Sequence, residues 1–179
     1  MKRNVVLPYD SIWQHLFIDE SRKLKSSIKE HADSLQHIGS TAVPGSSAKP
    51  IIDMMIITKS IQLFETKHQA LTNLGYQRVP SQFKDSLQYI KCISGDVTHQ
   101  LFIFPMGHEK IIEMIAFTSY MKYYPSEMER YNHMKSELAK LYPFEIEAYQ
   151  QAKVIFVTVM TVKALDWYLS LQHKNVSII

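Results

Sequence analysis

Apolar residues recur along this chain with two periods, and one gives way to the other about two thirds of the way along. Between Asp10 and Asp33, Trp13, Leu16, Phe17, Leu24 and Ile28 return at helical spacing, which predicts an amphipathic helix with Asp10 as its N-cap. Leu35–Ile38 reads as a short strand. Gly39–Gly45 is a small-residue turn, able to open a short helix and closed by Pro44 and Gly45. Pro50 then precedes Ile51–Ile57, apolar on both faces as a central strand is, except for Asp53. Ser60–Asn73 predicts a helix capped by Ser60 and ended near Gly75, and Tyr76–Val79 a short strand. Leu87–Ile93 and Val97–Phe104 flank Ser94-Gly95-Asp96, the pattern of a hairpin. After Pro105 helical spacing takes over, in His108–Tyr123, Ser126–Leu141 and Glu145–His173, separated at Pro125 and Pro143. The expectation is one domain over 1–179, with a soft division between an α/β part (1–105) and a helical part (106–179) that share a core.

Composition narrows the class. The chain has 179 residues, 46% hydrophobic and 21% charged, which suits a soluble globular domain that needs no disulfides. A single cysteine, Cys92, excludes an internal bridge and points to a reducing, cytoplasmic setting. Val5-Val6-Leu7-Pro8 is too short for a leader, and no run approaches the ~20 apolar residues of a membrane span, so no membrane is expected. The net charge of +3 is spread along the chain, without the basic stripe of a nucleic-acid binder. A small phosphorylated ligand fits that charge equally well.

Candidate chemistry centres on His37-Ile38-Gly39-Ser40-Thr41 and Asp53. Gly39 permits close backbone approach, Ser40 and Thr41 bring hydroxyls, and a helix opening here would favour a phosphate. The bland reading is a plain turn. A carboxylate on a buried strand is costly unless paired or bound to a cation. Asp53 is therefore either salt-bridged or a Mg²⁺ ligand, since Mg²⁺ takes carboxylate and phosphate oxygens together. A second acid on the same strand face would stand two residues on, where the chain has Met55. The strand around Val97–Phe104 offers His99, as base, metal ligand or phosphate donor, or simply as a histidine on a half-exposed strand. On the later helices Lys135 and Lys153 each follow a tyrosine by four residues, Tyr131 and Tyr149, so each pair shares a helix face. Such lysines either reach a ligand or pack their stems over the ring.

The wording of these segments resembles the GrpB family of the DNA polymerase β-like nucleotidyltransferase superfamily, over almost the whole chain. The match rests on Tyr9-Asp10 with Trp13, on His37 through Gly45, on Ala48-Lys49-Pro50-Ile51-Ile52-Asp53, on Leu74-Gly75-Tyr76 and on Thr98-His99 with Leu101. Tyr131 with Lys135 and Tyr149 with Lys153 extend it into the helical tail. The resemblance implies an α/β fold, a mixed sheet flanked by helices with a C-terminal helical part. It also implies a nucleoside triphosphate or other phosphorylated small molecule as ligand. His37, Gly39, Ser40, Thr41, Lys49, Lys135, Tyr149 and Lys153 would contact that ligand. Asp53 would hold Mg²⁺ and, with His99, stand at the reacting centre. Gln36, Phe102 and Thr118-Ser119 depart from the family wording and Met55 from the superfamily's pair of strand acids, each lacking a charge or histidine that the pattern carries. These departures imply a second reading, a module that binds a phosphorylated metabolite without transferring anything.

Overall fold

The computed structural model describes residues 4–29 and 34–173. It contains six helices and five strands among those residues. The chain divides into two compact units.

One unit comprises Asp10–Ala42 and Pro50–Ile111 and is built on a sheet. It holds α1 (Ile12–Ile28), β1 (Ser34–Ile38), β2 (Ile52–Thr58), α2 (Ile61–Glu65), α3 (His68–Asn73), β3 (Tyr76–Val79), β4 (Leu87–Ile93) and β5 (Asp96–Pro105). Asp10 does serve the start of α1: its carboxylate accepts the Ile12 N–H at 2.9 Å. The helix stops at Ile28, where Lys29 turns to φ +49°. The continuation expected toward Asp33 lies at 30–33, outside the described residues.

The strand order is β1-β2-β5-β4-β3. Only the β2–β5 pair is parallel, so the sheet is mixed. β2 lies between β1 and β5 and is buried at most of its positions, in keeping with its apolar run. Ser94 and Gly95 both have positive φ, +53° and +82°, as a two-residue type I′ hairpin turn requires. The helix expected over Ser60–Asn73 is instead two short ones. Ser60 caps α2 through the Leu63 N–H, while the Thr66 hydroxyl donates to Leu63 O at 2.7 Å and closes that turn before α3 begins.

α1 covers one sheet face. Phe17 stacks on His37 of β1 at 4.6 Å between ring centroids, and Glu20 reaches Lys91 of β4. Leu24 and Ile28 are buried on the same helix, and Met54, Tyr89 and Leu101 are buried on the strands.

The other unit draws on residues 4–9, Val43–Lys49 and 112–173. Its helices are α4 (Glu109–Tyr123, whose first turn belongs to the sheet unit), α5 (Pro125–Leu141) and α6 (Ile146–His173). Pro125 sits in the first turn of α5, where its missing N–H is no loss. Val43, Ala116, Tyr120, Met121, Tyr131, Met160 and Ala164 form the core. Aromatic rings pack around it: Tyr120 and Tyr124 against Trp167, and Tyr131 stacked on Phe156.

The segment 43–49 is tied into this unit by its backbone. Leu7 and Ala48 exchange two hydrogen bonds of 2.8 and 2.9 Å, and Asn132 of α5 receives the Ser47 N–H and donates to Gly45 O.

By length and composition α6 is apolar enough to cross a membrane, an 18-residue window within Ile146–Gln172 having a mean hydropathy of 1.5. The apolar stretch is not unbroken, since polar residues such as Thr158 and Lys163 interrupt it. Met160 and Ala164 of this helix lie in the core of the unit.

Candidate functional site

β1 ends at Ile38, which is the register partner of Asp53 on β2. The chain then turns at Gly39, with φ +72°. A Cβ built on Gly39 would lie 2.7 Å from Asp53 Oδ2, so the carboxylate rests against the turn in space only glycine leaves open. The expected helix opening is a single 3₁₀ turn, Ser40–Ala42, too short to gather the aligned dipoles of a helix N-terminus. Any anion here would be met by single N–H groups and by Ser40.

His37 and Thr41 serve the turn itself. Thr41 is buried; its hydroxyl donates to Ile51 O at 3.2 Å and lies 3.0 Å from His37 Nε2. His37 Nδ1 is 3.4 Å from Gln14 Oε1, and its ring stacks on Phe17. Thr41 and His37, both expected to contact a ligand, have partners within the turn. They brace the loop that places Gly39 over Asp53.

Strand alternation separates the two residues expected at the reacting centre. Asp53 pairs in register with Gln100, and Ile52 with His99. Side chains alternate faces along a strand, so Asp53, Met55, Gln100 and Phe102 share one face and His99 stands on the other. His99 lies instead beside Lys91, its register partner on β4, on the face that α1 covers. It is 5% exposed, and its Nδ1 lies 2.9 Å from the Thr98 hydroxyl, which donates to Lys91 O. Its Nε2 is buried without a hydrogen-bond partner.

A polar cluster surrounds it. Glu20, with a side chain 3% exposed, accepts from Lys91 at 2.7 Å and from Lys23 at 3.1 Å. Burial opposes ionisation of Glu20, but the two ammonium groups prevail and hold its carboxyl below the usual range. Burial pushes the His99 imidazolium down; Glu20 pulls it back, while Lys91 and Lys23 add to the depression. Burial and then the Glu20 carboxylate push the Tyr76 phenol up.

The sign for His99 follows. Its folded value lies below its ordinary 6.5, so it contributes stability that is present above about pH 6.5 and is lost as pH falls through the folded value. Glu20 is likewise depressed, and its contribution is lost on acidification below its ordinary 4.5. We expect the melting temperature to fall from about pH 6.5 downward, and His99→Gln to remove the upper part of that slope while keeping the lower. Equal slopes in thermal melts from pH 7.5 to 4 would contradict this.

The helical unit brings the remaining four candidates together. Lys49 Nζ donates to Asn4 Oδ1 at 2.7 Å and lies 4.6 Å from the centre of the buried Tyr149 ring; Lys153 Nζ is 6.0 Å from the same ring. Burial lowers the Lys49 ammonium, and the nearby Lys153 charge lowers it further. Lys135 is 3% exposed. It donates to Ser46 Oγ and Ser47 O and sits 4.1 Å over the Tyr131 ring. Burial and then Lys153 bring its ammonium down to about 7. Lys135 is thus a clamp on the segment 43–49. Lys49 and Lys153 are half-buried.

Among the described residues no three His, Cys, Asp or Glu side chains gather where they could hold a metal. Asp53 can hold Mg²⁺ only with oxygens from a ligand or water completing the shell.

Sequence reading missed Gln100, Asn4 and Glu20. Glu20 carried a usable signal, a charge between Phe17 and Leu24 on the apolar stripe of α1. Gln100 carried none, because only pairing register places it beside Asp53.

The fold is shared with a solved poly(U) polymerase: Cid1 with Mg 3′-dATP superposes with a TM-score of 0.51 at 14% identity over 75% of this chain and 43% of that one. The family model described as GrpB protein matches residues 4–163, and the chain belongs to the GrpB family. The crystal structure of GrpB from Enterococcus faecalis superposes with a TM-score of 0.88 at 28% identity, over 92% of this chain and 99% of that one. The glutamate-rich protein GrpB of Alkalihalophilus pseudofirmus is 28% identical over 86% of this chain and 91% of its own length. The UPF0157 protein YqkA of Bacillus subtilis is 27% identical over 99% of this chain, which spans about half (52%) of that relative.

Proposed function

We propose that this protein binds a nucleotide or another phosphorylated small molecule, with Mg²⁺ at Asp53 and phosphate oxygens near Gly39 and Ser40. The observation that carries the reading is the close fit of the Asp53 carboxylate under Gly39, which keeps one strand anion beside a turn of small residues. A second feature supports it independently within the helical unit. Lys49 is depressed by burial and by another cation, Lys153, so a bound anion would relieve both. The shared fold with a polymerase solved with Mg 3′-dATP makes a nucleotide the first ligand to try.

Transfer chemistry is a further step. A two-metal displacement needs several carboxylates, and Met55, Gln100 and Phe102 share the Asp53 face without supplying one. That observation favours the second reading, a binding module that does not catalyse transfer.

Calorimetric titration with ATP, GTP, CTP and UTP, each with and without Mg²⁺, tests both. We expect binding that needs Mg²⁺ and weakens at least tenfold in Asp53→Asn, the loss of one charge-assisted contact being worth about 1.5–3 kcal/mol. Unchanged affinity in that variant would remove the metal role. Turnover of a nucleotide by the wild type at enzyme rates would remove the binding-only reading.

A further inference from the structure

Directly beside Asp53 on its face stands one more polar side chain, Gln100. β2 and β5 run parallel, and Asp53 and Gln100 are register partners across them. Partners on adjacent strands stand side by side on one face, about 5 Å apart. Gln100 is half-buried, and its side-chain amide makes no hydrogen bond to any described residue. Met55 and Phe102, the next register pair on the same face, are both buried and apolar. Beyond Asp53 and Gln100 in that direction this face of β2 and β5 turns apolar.

The chemistry of the pair is asymmetric. Asp53 is an anion that accepts only; Gln100 is neutral, with one accepting oxygen and two donated N–H groups. A lone carboxylate can hold one divalent cation when a phosphate shares it, but a second cation would find no further charge. The amide N–H groups suit an anionic oxygen of the molecule that shares the first cation.

We infer that Gln100 is the second ligand-contacting residue of the Asp53 site, donating to a phosphate oxygen, and that its neutrality limits the site to one divalent cation. The inference rests on the reading of Asp53 as a Mg²⁺ and phosphate site.

The test uses the full chain and two independent readouts. Mn²⁺ binding without nucleotide is followed by the paramagnetic resonance of the free ion in wild type, Gln100→Glu and Gln100→Glu combined with Asp53→Asn. A second carboxylate beside Asp53 should tighten Mn²⁺ at least tenfold, and the added Asp53→Asn should abolish the gain, each tenfold being about 1.4 kcal/mol. MgATP affinity in Gln100→Ala should fall about tenfold, as expected for one hydrogen bond to a charged oxygen. Thermal melts of each variant show that the fold is kept. No Mn²⁺ gain in a folded Gln100→Glu, or unchanged MgATP affinity in a folded Gln100→Ala, overturns the inference. A Mn²⁺ gain that depends on Asp53, together with no nucleotide binding by the wild type, supports the paired geometry and overturns the nucleotide reading instead.

Discussion

Lys91→Met should destabilise the protein by about 3 kcal/mol, among the largest effects of any single substitution. Glu20 is almost wholly buried beneath α1, and Lys91 is its closer partner at 2.7 Å. Removing one member of a buried ion pair leaves the other desolvated and uncompensated, which costs about 3–5 kcal/mol. Lys23 remains at 3.1 Å, but its side chain is 56% exposed and screened by solvent, so it offsets only part of the loss. Denaturant unfolding of wild type and variant measures the difference. A change below about 1 kcal/mol would mean that Lys23 alone satisfies Glu20. The double variant Glu20→Leu with Lys91→Met should recover much of the loss, because it removes the stranded charge.

Gly39→Ala should cost about 2 kcal/mol and disturb Asp53 as well. Two causes add at this position. The backbone sits at φ +72°, which costs an alanine about 1 kcal/mol. The new methyl would stand 2.7 Å from Asp53 Oδ2, so the carboxylate must move. Gly95→Ala isolates the first cause: its φ is +82°, but nothing lies within 4 Å of the added atom. Thermal melts of both variants should show the larger drop for Gly39→Ala. MgATP titration should show weakened binding for that variant alone. Equal melts would mean that Asp53 yields freely, and that the fit under Gly39 positions nothing.

Much of the fold was legible because local chemistry and tertiary structure agree. The unbroken Ile51–Ile57 run declared a strand buried on both sides, and Ser94-Gly95 declared a turn that two positive φ values confirm. Asp53 stood out for the same reason: a charge in an apolar run has to be accounted for. Where a feature depends on pairing, the sequence is silent. His99 and Gln100 are neighbours in the chain, and a register shift of one residue would exchange their faces. The histidine drew attention as the more reactive side chain, yet the sheet places the amide beside Asp53. The resemblance to GrpB picked out the lysines of the helical tail, but burial distinguishes them. Lys135 is enclosed and holds Ser46 and Ser47, whereas Lys49 and Lys153 stay half-open. The Thr41 hydroxyl, like the Lys135 ammonium, is engaged within the fold, donating to Ile51 O.

The helical unit takes its residues from three separate stretches, and 43–49 is flanked on both sides by residues of the sheet unit. No single cut therefore yields both units as uninterrupted fragments, and expression of 106–179 alone would lack the strand pairing of Leu7 with Ala48. The order of synthesis matters for the same reason. All of the sheet unit has been made by residue 111, while Asn132 and Lys135, which fasten 43–49, are still to come. On the ribosome the sheet can thus assemble around an unanchored loop, and the helical unit closes only after most of the chain has emerged.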